Sequence, residues 1–407
     1  MEHRAIDEPS GQPPLEAAGL AWRQPLRQQL QQLPASSRRR LRPLHPDGAG
    51  QLQPEQGTAL LDLASNDYLG LSHHPAVVAA AQNAAAHEGV GAGASRLVSG
   101  SRPVHHQLEQ ALADWLGRER VLLFPSGFQA NLAAVQALAD RHSLVLADRL
   151  IHHSLLTGVA AAGAQLRRFR HNDLAHLEQL LQAARRERPD QRLLVLSESL
   201  FSMEGTSPDV AGLAALCERH GAALLLDEAH ALGVLGPGGR GLGRGQPSIA
   251  LLSGTFGKAF GSGGAFLAGD GLVGDWLLQH SGPFRYTTAL APPLAAGALA
   301  ALGLLQEREA SGEEPGLQLL QRAERWRRAL VAAGWPRPPG EGPVLPLLVG
   351  DDARALALQQ RLEQAGLLAV AIRPPTVPAG TARLRLVLRH DLPGGSLERL
   401  LAALGPG

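Results

Sequence analysis

The sequence predicts an α/β protein with a large domain on a mostly parallel sheet covered by helices and a smaller C-terminal α+β domain. Three observations lead there. Short, continuous apolar runs recur from Leu60 onward, and amphipathic stretches of helical period separate them. Runs that are apolar throughout belong to strands buried on both faces, and their alternation with helices makes a parallel sheet. The chain is also long enough, at 407 residues and 44% apolar, for a sizeable core and more than one domain.

Residues 1–58 form an N-terminal arm rich in Gln, Pro and Arg, with a disordered start over 1–14, a helix near Gly19–Leu33 and then a loop. Arg38, Arg39 and Arg40 are a charge run within it. They are read as a solvated face, or as an arm that carries an arginine to a carboxylate or phosphate.

Residues 59–291 form the large domain. Its strands are expected at Val121–Phe124, Leu144–Ala147, Gln165–Phe169, Leu193–Leu196, Ala223–Leu226, Ile249–Leu252 and Gly264–Ala268. Leu108, Ala111, Leu112, Trp115 and Leu116 fall at helical spacing, and Gly117 ends that helix. Asp173–Arg185 and Pro208–His220 read the same way. Residues 292–407 are a linking helix and the smaller domain, with strands at Val344–Val349, Leu368–Ile372 and Ala382–Leu388 and helices at Asp351–Ala365 and Ser396–Leu404.

Composition narrows the function classes. A net charge of +1 gives no footing for nucleic acid or an anionic membrane. One cysteine, Cys217, forbids an internal disulfide and fits a reducing, cytoplasmic setting; its helical surroundings make it a core thiol. No secretory apolar segment follows the first residues. Thr287–Leu305 carries no charge for nineteen residues, but Pro292, Pro293 and its many Ala and Gly mark a buried helix, not a membrane span. No metal-ligand spacing occurs.

Lys258, in Gly254-Thr-Phe-Gly-Lys-Ala-Phe-Gly261, is the only lysine in the chain; arginine fills every other such position. An amine can lose its proton and condense with an aldehyde, which a guanidinium cannot. Asp227 ends a buried strand in Leu224-Leu-Leu-Asp-Glu-Ala-His230, where an acid needs a partner. If the aldehyde is that of pyridoxal phosphate, the partner is the ring nitrogen, and His230 is placed for the phenolic oxygen. Phe124-Pro-Ser-Gly-Phe-Gln-Ala-Asn131 reads as strand, turn and helix start, where the amides of Gly127 and Phe128 would meet a phosphate. His152 follows another strand end and can stack on a ring, with His153 as its structural competitor. Ser202 follows the strand Leu193–Leu196 and can donate to a cofactor. Ligands in such sheets sit beyond the carboxyl ends of strands.

Five segments together resemble the α-oxoamine synthases: Ser65–Leu71, Gly93–Gly100, Phe201–Gly205, Asp227–His230 and Thr255–Lys258. They follow one another from about Asp62 to Leu388. The resemblance implies a fold-type I pyridoxal-phosphate-dependent transferase that joins an amino acid to an acyl thioester with loss of CO2. Ala371–Leu386 is most similar to the member that serves biotin synthesis, which implies L-alanine and a pimeloyl thioester, carried by coenzyme A or an acyl-carrier protein. By position, Lys258 would bind the cofactor aldehyde, Asp227 would face the pyridine nitrogen, His230 the phenolic oxygen and His152 the ring face. Gly127, Phe128, Ser202 and Thr255 would hold the phosphate, with Thr287 and Thr288 approaching from the partner of a homodimer. Arg373 would bind the amino-acid carboxylate, Thr376 would lie near the substrate, and Arg38 would contact the acyl substrate. His230-Ala-Leu-Gly233 departs from the family's frequent His-Gly-Thr-Gly. A sister synthase using glycine or serine is the alternative. Gly236–Gly245 is read as a flexible loop near the site, not a nucleic-acid segment.

Overall fold

The computed structural model describes residues 20, 22–34, 41–48 and 50–407, in two units, Met1–Leu44 and His45–Gly407. Among the described residues the first holds one helix, Arg23–Gln32, with no buried residue. Trp22, Leu26, Leu30 and Leu33 are exposed along it. Arg38, Arg39 and Arg40 lie outside the described residues.

The second unit is organised by a seven-stranded sheet. Its strands are β1 (Arg120–Phe124), β2 (Leu144–Asp148), β3 (Gln165–Phe169), β4 (Leu193–Glu198), β5 (Ala223–Asp227), β6 (Leu251–Thr255) and β7 (Ala265–Gly269), in the order β1-β7-β6-β5-β4-β2-β3. The strands β6, β5, β4, β2 and β3 run parallel; β7 runs antiparallel to β1 and β6. The predicted parallel sheet is thus correct apart from β7.

Continuous apolar strands are explained by the two cores they separate. Leu144, Leu146, Leu193, Val195, Leu224 and Leu226 pack on one face. Val145, Ala147, Leu194, Leu196, Leu225 and Leu251 pack on the other, with the helices Gly127–Leu138 and His153–Ala162. Cys217 is fully buried in the first core, which pushes its thiol up to about 12.

The uncharged stretch after Thr287 forms the helix Pro292–Ala310, packed on Pro75–Glu88 and Pro103–Leu116. Ala295, Ala298 and Ala301 are fully buried. Small residues let these helices approach closely, which is why charge is missing there. Among the described residues no helix is long and apolar enough to cross a membrane.

A three-stranded antiparallel sheet lies near the C-terminus, with β8 (Val344–Gly350), β9 (Val370–Ile372) and β10 (Ala382–Val387) in the order β8-β10-β9. The expected single strand Leu368–Ile372 divides here. Leu367–Leu368 pairs in parallel with Leu60–Asp62 of another small sheet, and the chain changes sheets at buried Ala369. The strand expected at Ile249–Leu252 lies later, at Leu251–Thr255, because its pairing continues to the Lys258 turn.

Arg389 ties the two regions together. Its guanidinium reaches Asp62, Asp67 and Asp391. Asp62 and Asp67 in turn accept the amides of Ala64, Ser65 and Leu71. The segment Ser65–Leu71 is therefore fixed against the end of β10.

Candidate active site

The carboxyl ends of β4, β5 and β6 align in register: Glu198 neighbours Asp227, and Asp227 neighbours Ser253. The chain leaves β6 at Thr255 into a turn closed by Phe256 N to Gly264 O, Ser262 N to Phe256 O and Gly261 N to Lys258 O, each 2.9 Å. Gly261 has φ +60°, and a Cβ there would overlap the backbone of Leu71 and Ser72. Only glycine lets the lysine turn pack on the Ser65–Leu71 segment.

Lys258 lies at this sheet edge. Burial pushes its amine down to about 8; Asp227 and Glu198 oppose that shift, and the Arg385 guanidinium adds to it. A lysine that needs apolar or cationic neighbours to act near neutral pH has both.

Asp227 is buried and accepts hydrogen bonds from Asn131 Nδ2 at 2.7 Å and the Ala229 amide at 2.9 Å. Asn131 Nδ2 also meets Ser154 Oγ at 2.9 Å, which lies 2.7 Å from His152 Nδ1. Asp227 and His152 are thus joined through Asn131 and Ser154. Partial burial and the Lys258 charge lower the His152 pKa against the pull of Asp227. The His152 amide donates to Glu198 Oε1. Burial and the Asp227 charge raise Glu198 well above the usual carboxylate range.

Ser126 caps the helix Gly127–Leu138 by accepting the Gln129 amide. The amides of Gly127 and Phe128, in the first turn, have no intrahelical partner. Thr255 stands against Gly127: a Cβ added there would lie 3.8 Å from Thr255 Oγ1. The Gly257 amide donates to that hydroxyl at 3.2 Å. The structure therefore brings Gly127, Phe128, Thr255 and Lys258 to one edge with Asp227 and His152.

The other expected residues are placed as follows. Ser202 follows β4, and its carbonyl accepts from Arg385 Nε at 2.7 Å. Thr287 and Thr288 lie between the short helix Gly282–Arg285 and the helix at Pro292, next to Ala289, whose amide bonds Ala94. Arg373 and Thr376 share a turn after β9, closed by Thr376 N to Arg373 O at 3.0 Å.

The profile of the aminotransferase class I and II family matches residues 58–404. The 8-amino-7-oxononanoate synthase of Gluconacetobacter diazotrophicus is 45% identical over 90% of this chain and 92% of its own length. That of Klebsiella pneumoniae is 44% identical over 95% of this chain and 99% of its own. The chain belongs to the 8-amino-7-oxononanoate synthase family. Two solved structures extend the comparison. A serine palmitoyltransferase variant from S. paucimobilis, with a bound pyridoxal phosphate–myriocin aldimine, has a TM-score of 0.83 at 27% identity, covering 89% of this chain and 91% of that one. The 8-amino-7-oxononanoate synthase of Francisella tularensis has a TM-score of 0.71 at 26% identity, covering 85% and 96%.

For a chain of the 8-amino-7-oxononanoate synthase family, the donor set fits pyridoxal phosphate. Buried Asp227 has only neutral hydrogen-bond donors and no salt bridge among the described residues, which leaves room for a protonated ring nitrogen. An amine with a lowered pKa and a pair of first-turn amides complete the requirements.

Sequence reasoning did not single out Arg385, Tyr68, Asn131 and Glu198 in this family member. Arg385 lies on β10, is buried, and donates from Nη2 to Asn66 Oδ1 at 2.9 Å. Nothing in Arg383-Leu-Arg385 distinguishes its two arginines; the register of β10 does. The loop Gly236–Gly245, expected to be flexible, is anchored. Arg240 pairs with Glu309 through its two terminal nitrogens, Nη1 and Nη2, and Glu228 accepts the amides of Leu242 and Gly243.

Proposed function

We propose that the protein joins L-alanine to a pimeloyl thioester, releasing CO2, the free thiol carrier and 8-amino-7-oxononanoate, a step of biotin synthesis. One observation carries this reading: Lys258, an amine lowered to about 8 beside Asp227, in a chain 41–47% identical to proteins bearing that synthase's name. Bound pyridoxal phosphate supplies an aldehyde for amines and a ring that accepts electrons from the amino acid's α-carbon. Lys258 would hold the cofactor through that aldehyde, and its amine, lowered to about 8, would serve as the base for the amino acid's α-proton when it is free and neutral. Asp227 would keep the pyridine nitrogen protonated. His152 would stack on the cofactor ring, and His230 would donate to its phenolic oxygen. The amides of Gly127 and Phe128 and the hydroxyls of Ser202 and Thr255 would hold the phosphate.

Two arginines are offered for the alanine carboxylate. The resemblance points to Arg373, with Thr376 beside the substrate. Arg385, buried on β10 and bonded to the Ser202 carbonyl and to Asn66, is the second candidate. The acyl carrier is coenzyme A or an acyl-carrier protein, and Arg38 is its proposed contact. We read the working form as a cytoplasmic homodimer in which Thr287 and Thr288 approach the other subunit's phosphate. Exposed Phe128, at the phosphate turn, and exposed Tyr286, beside Thr287, support that reading.

A sister reaction with glycine or serine has one observation in its favour: a serine palmitoyltransferase superposes with a TM-score of 0.83, above the 0.71 of the synthase structure. Purified protein given alanine, glycine or serine with pimeloyl or palmitoyl thioesters, followed by mass analysis of the product, separates the two. A product only from alanine and the pimeloyl thioester is expected; a palmitoyl product from serine would overturn the proposal.

A further inference from the structure

Tyr68 sits where no part of the proposed reaction uses it. It is fully buried in the Ser65–Leu71 segment, and its phenol oxygen lies 2.5 Å from His230 Nδ1. The same oxygen is 3.4 Å from Asn66 Oδ1, which accepts from Arg385 Nη2. Among the described residues, His230 Nε2 has no hydrogen-bond partner.

The phenol carries one proton, and distance decides where it goes. A hydroxyl donor works at about 2.5–3.0 Å, and an N–H donor at about 2.7–3.2 Å. The 2.5 Å contact therefore fits O–H donating to Nδ1, and the 3.4 Å contact to Asn66 is too long to compete. The Arg385 guanidinium, which can only donate, also acts on the phenol and favours its oxygen as an acceptor. His230 is held neutral by burial and by the charges of Lys258, Arg385 and His152 around it. A neutral imidazole that accepts at Nδ1 carries its proton at Nε2.

We propose that Tyr68 is a positioning residue that locks His230 in the Nε2–H form, so that the ring presents a donor to the anionic phenolic oxygen of the cofactor. This deepens the proposed function and rests on it. It also gives the Asn66–Tyr68–Arg385 cluster a purpose: a buried guanidinium on β10 and a histidine after β5 bias one proton together.

The test uses the full-length protein. Nitrogen-15 histidine spectra of the cofactor-free wild type, with His230 assigned by its loss in His230→Gln, should show a neutral ring protonated at Nε2. A proton on Nδ1 overturns the inference while leaving the cofactor reading intact. In the loaded enzyme, Tyr68→Phe should lower kcat about tenfold, the loss of roughly one hydrogen bond's worth of orientation, with the alanine KM little changed. It should also shift the pH at which the cofactor's visible absorbance changes. In a His230→Gln background the same substitution should add nothing to either effect, because Tyr68 acts through His230. Additive effects, or an unshifted spectrum in Tyr68→Phe, overturn the inference. A wild type that binds no pyridoxal phosphate overturns the function and this inference together.

Discussion

Glu228 accepts the amide of Gly243 at 2.6 Å, so that a buried carboxyl directly after the Asp227 strand end anchors the glycine-rich loop Gly236–Gly245. Leu242 donates to its other oxygen at 3.2 Å. The loop's glycines are required by this contact: a Cβ on Gly241 or Gly243 would run into the carboxylate.

Burial pushes Glu228 up to about 7, against the pull of Ser199 and the two loop amides, while the Asp227 charge adds to the rise. A carboxyl whose folded pKa is raised binds its proton more tightly when folded. Its stabilising effect is therefore complete below about 4.5 and is lost as pH rises towards about 7. Thermal unfolding followed from pH 5 to pH 8 should show stability falling by up to about 3 kcal/mol from this group. Glu228→Gln should flatten that part of the profile, and an unchanged slope would contradict the assignment.

Lys258→Arg keeps a charge at the site but cannot lose its proton or bind an aldehyde. It should show no visible absorbance with pyridoxal phosphate and a turnover reduced by at least about 10²–10⁴-fold. Normal product formation by this variant would exclude Lys258 as the base.

Arg385→Gln removes a like charge that holds the Lys258 pKa down. The Lys258 pKa should rise above about 8, moving the alkaline-favoured limb of the pH profile upward. The alanine KM should rise about tenfold or more if Arg385 also binds the carboxylate. Reductive trapping of the cofactor across pH reads the first effect and steady-state kinetics the second.

Gly261→Ala places a side chain at φ +60° against the backbone of Leu71 and Ser72. The lysine turn and the Ser65–Leu71 segment would have to separate. A loss of about 2–4 kcal/mol in stability is expected, with weaker cofactor binding. Urea unfolding and cofactor titration measure each.

The parts of the site legible in the sequence are those with a local signature. Asp227 and Lys258 follow buried strands, and Ser126-Gly127 follows another, so strand ends alone bring them to one edge. The scarcity of lysine marks Lys258 independently. What escaped reading depends on register and on distant partners. Arg383 and Arg385 share a strand and a residue type, and only the pairing of β10 places Arg385 among Lys258, Tyr68 and Asn66. Leu368–Ile372 reads as one strand because its residues are uniformly apolar; its division between two sheets is a tertiary event. Gln51–Pro54 is too polar, and Leu60–Asp62 too short, to stand out as strands.

Because Lys258 is the chain's one lysine, a lysine-specific protease has a single cleavage point in the whole sequence, after Lys258. A denatured sample should fall into two fragments of 258 and 149 residues. If the proposed bond to the cofactor is first fixed by reduction, that cut is blocked. The ratio of intact to cleaved chain then counts loaded sites directly, without reference to turnover or colour.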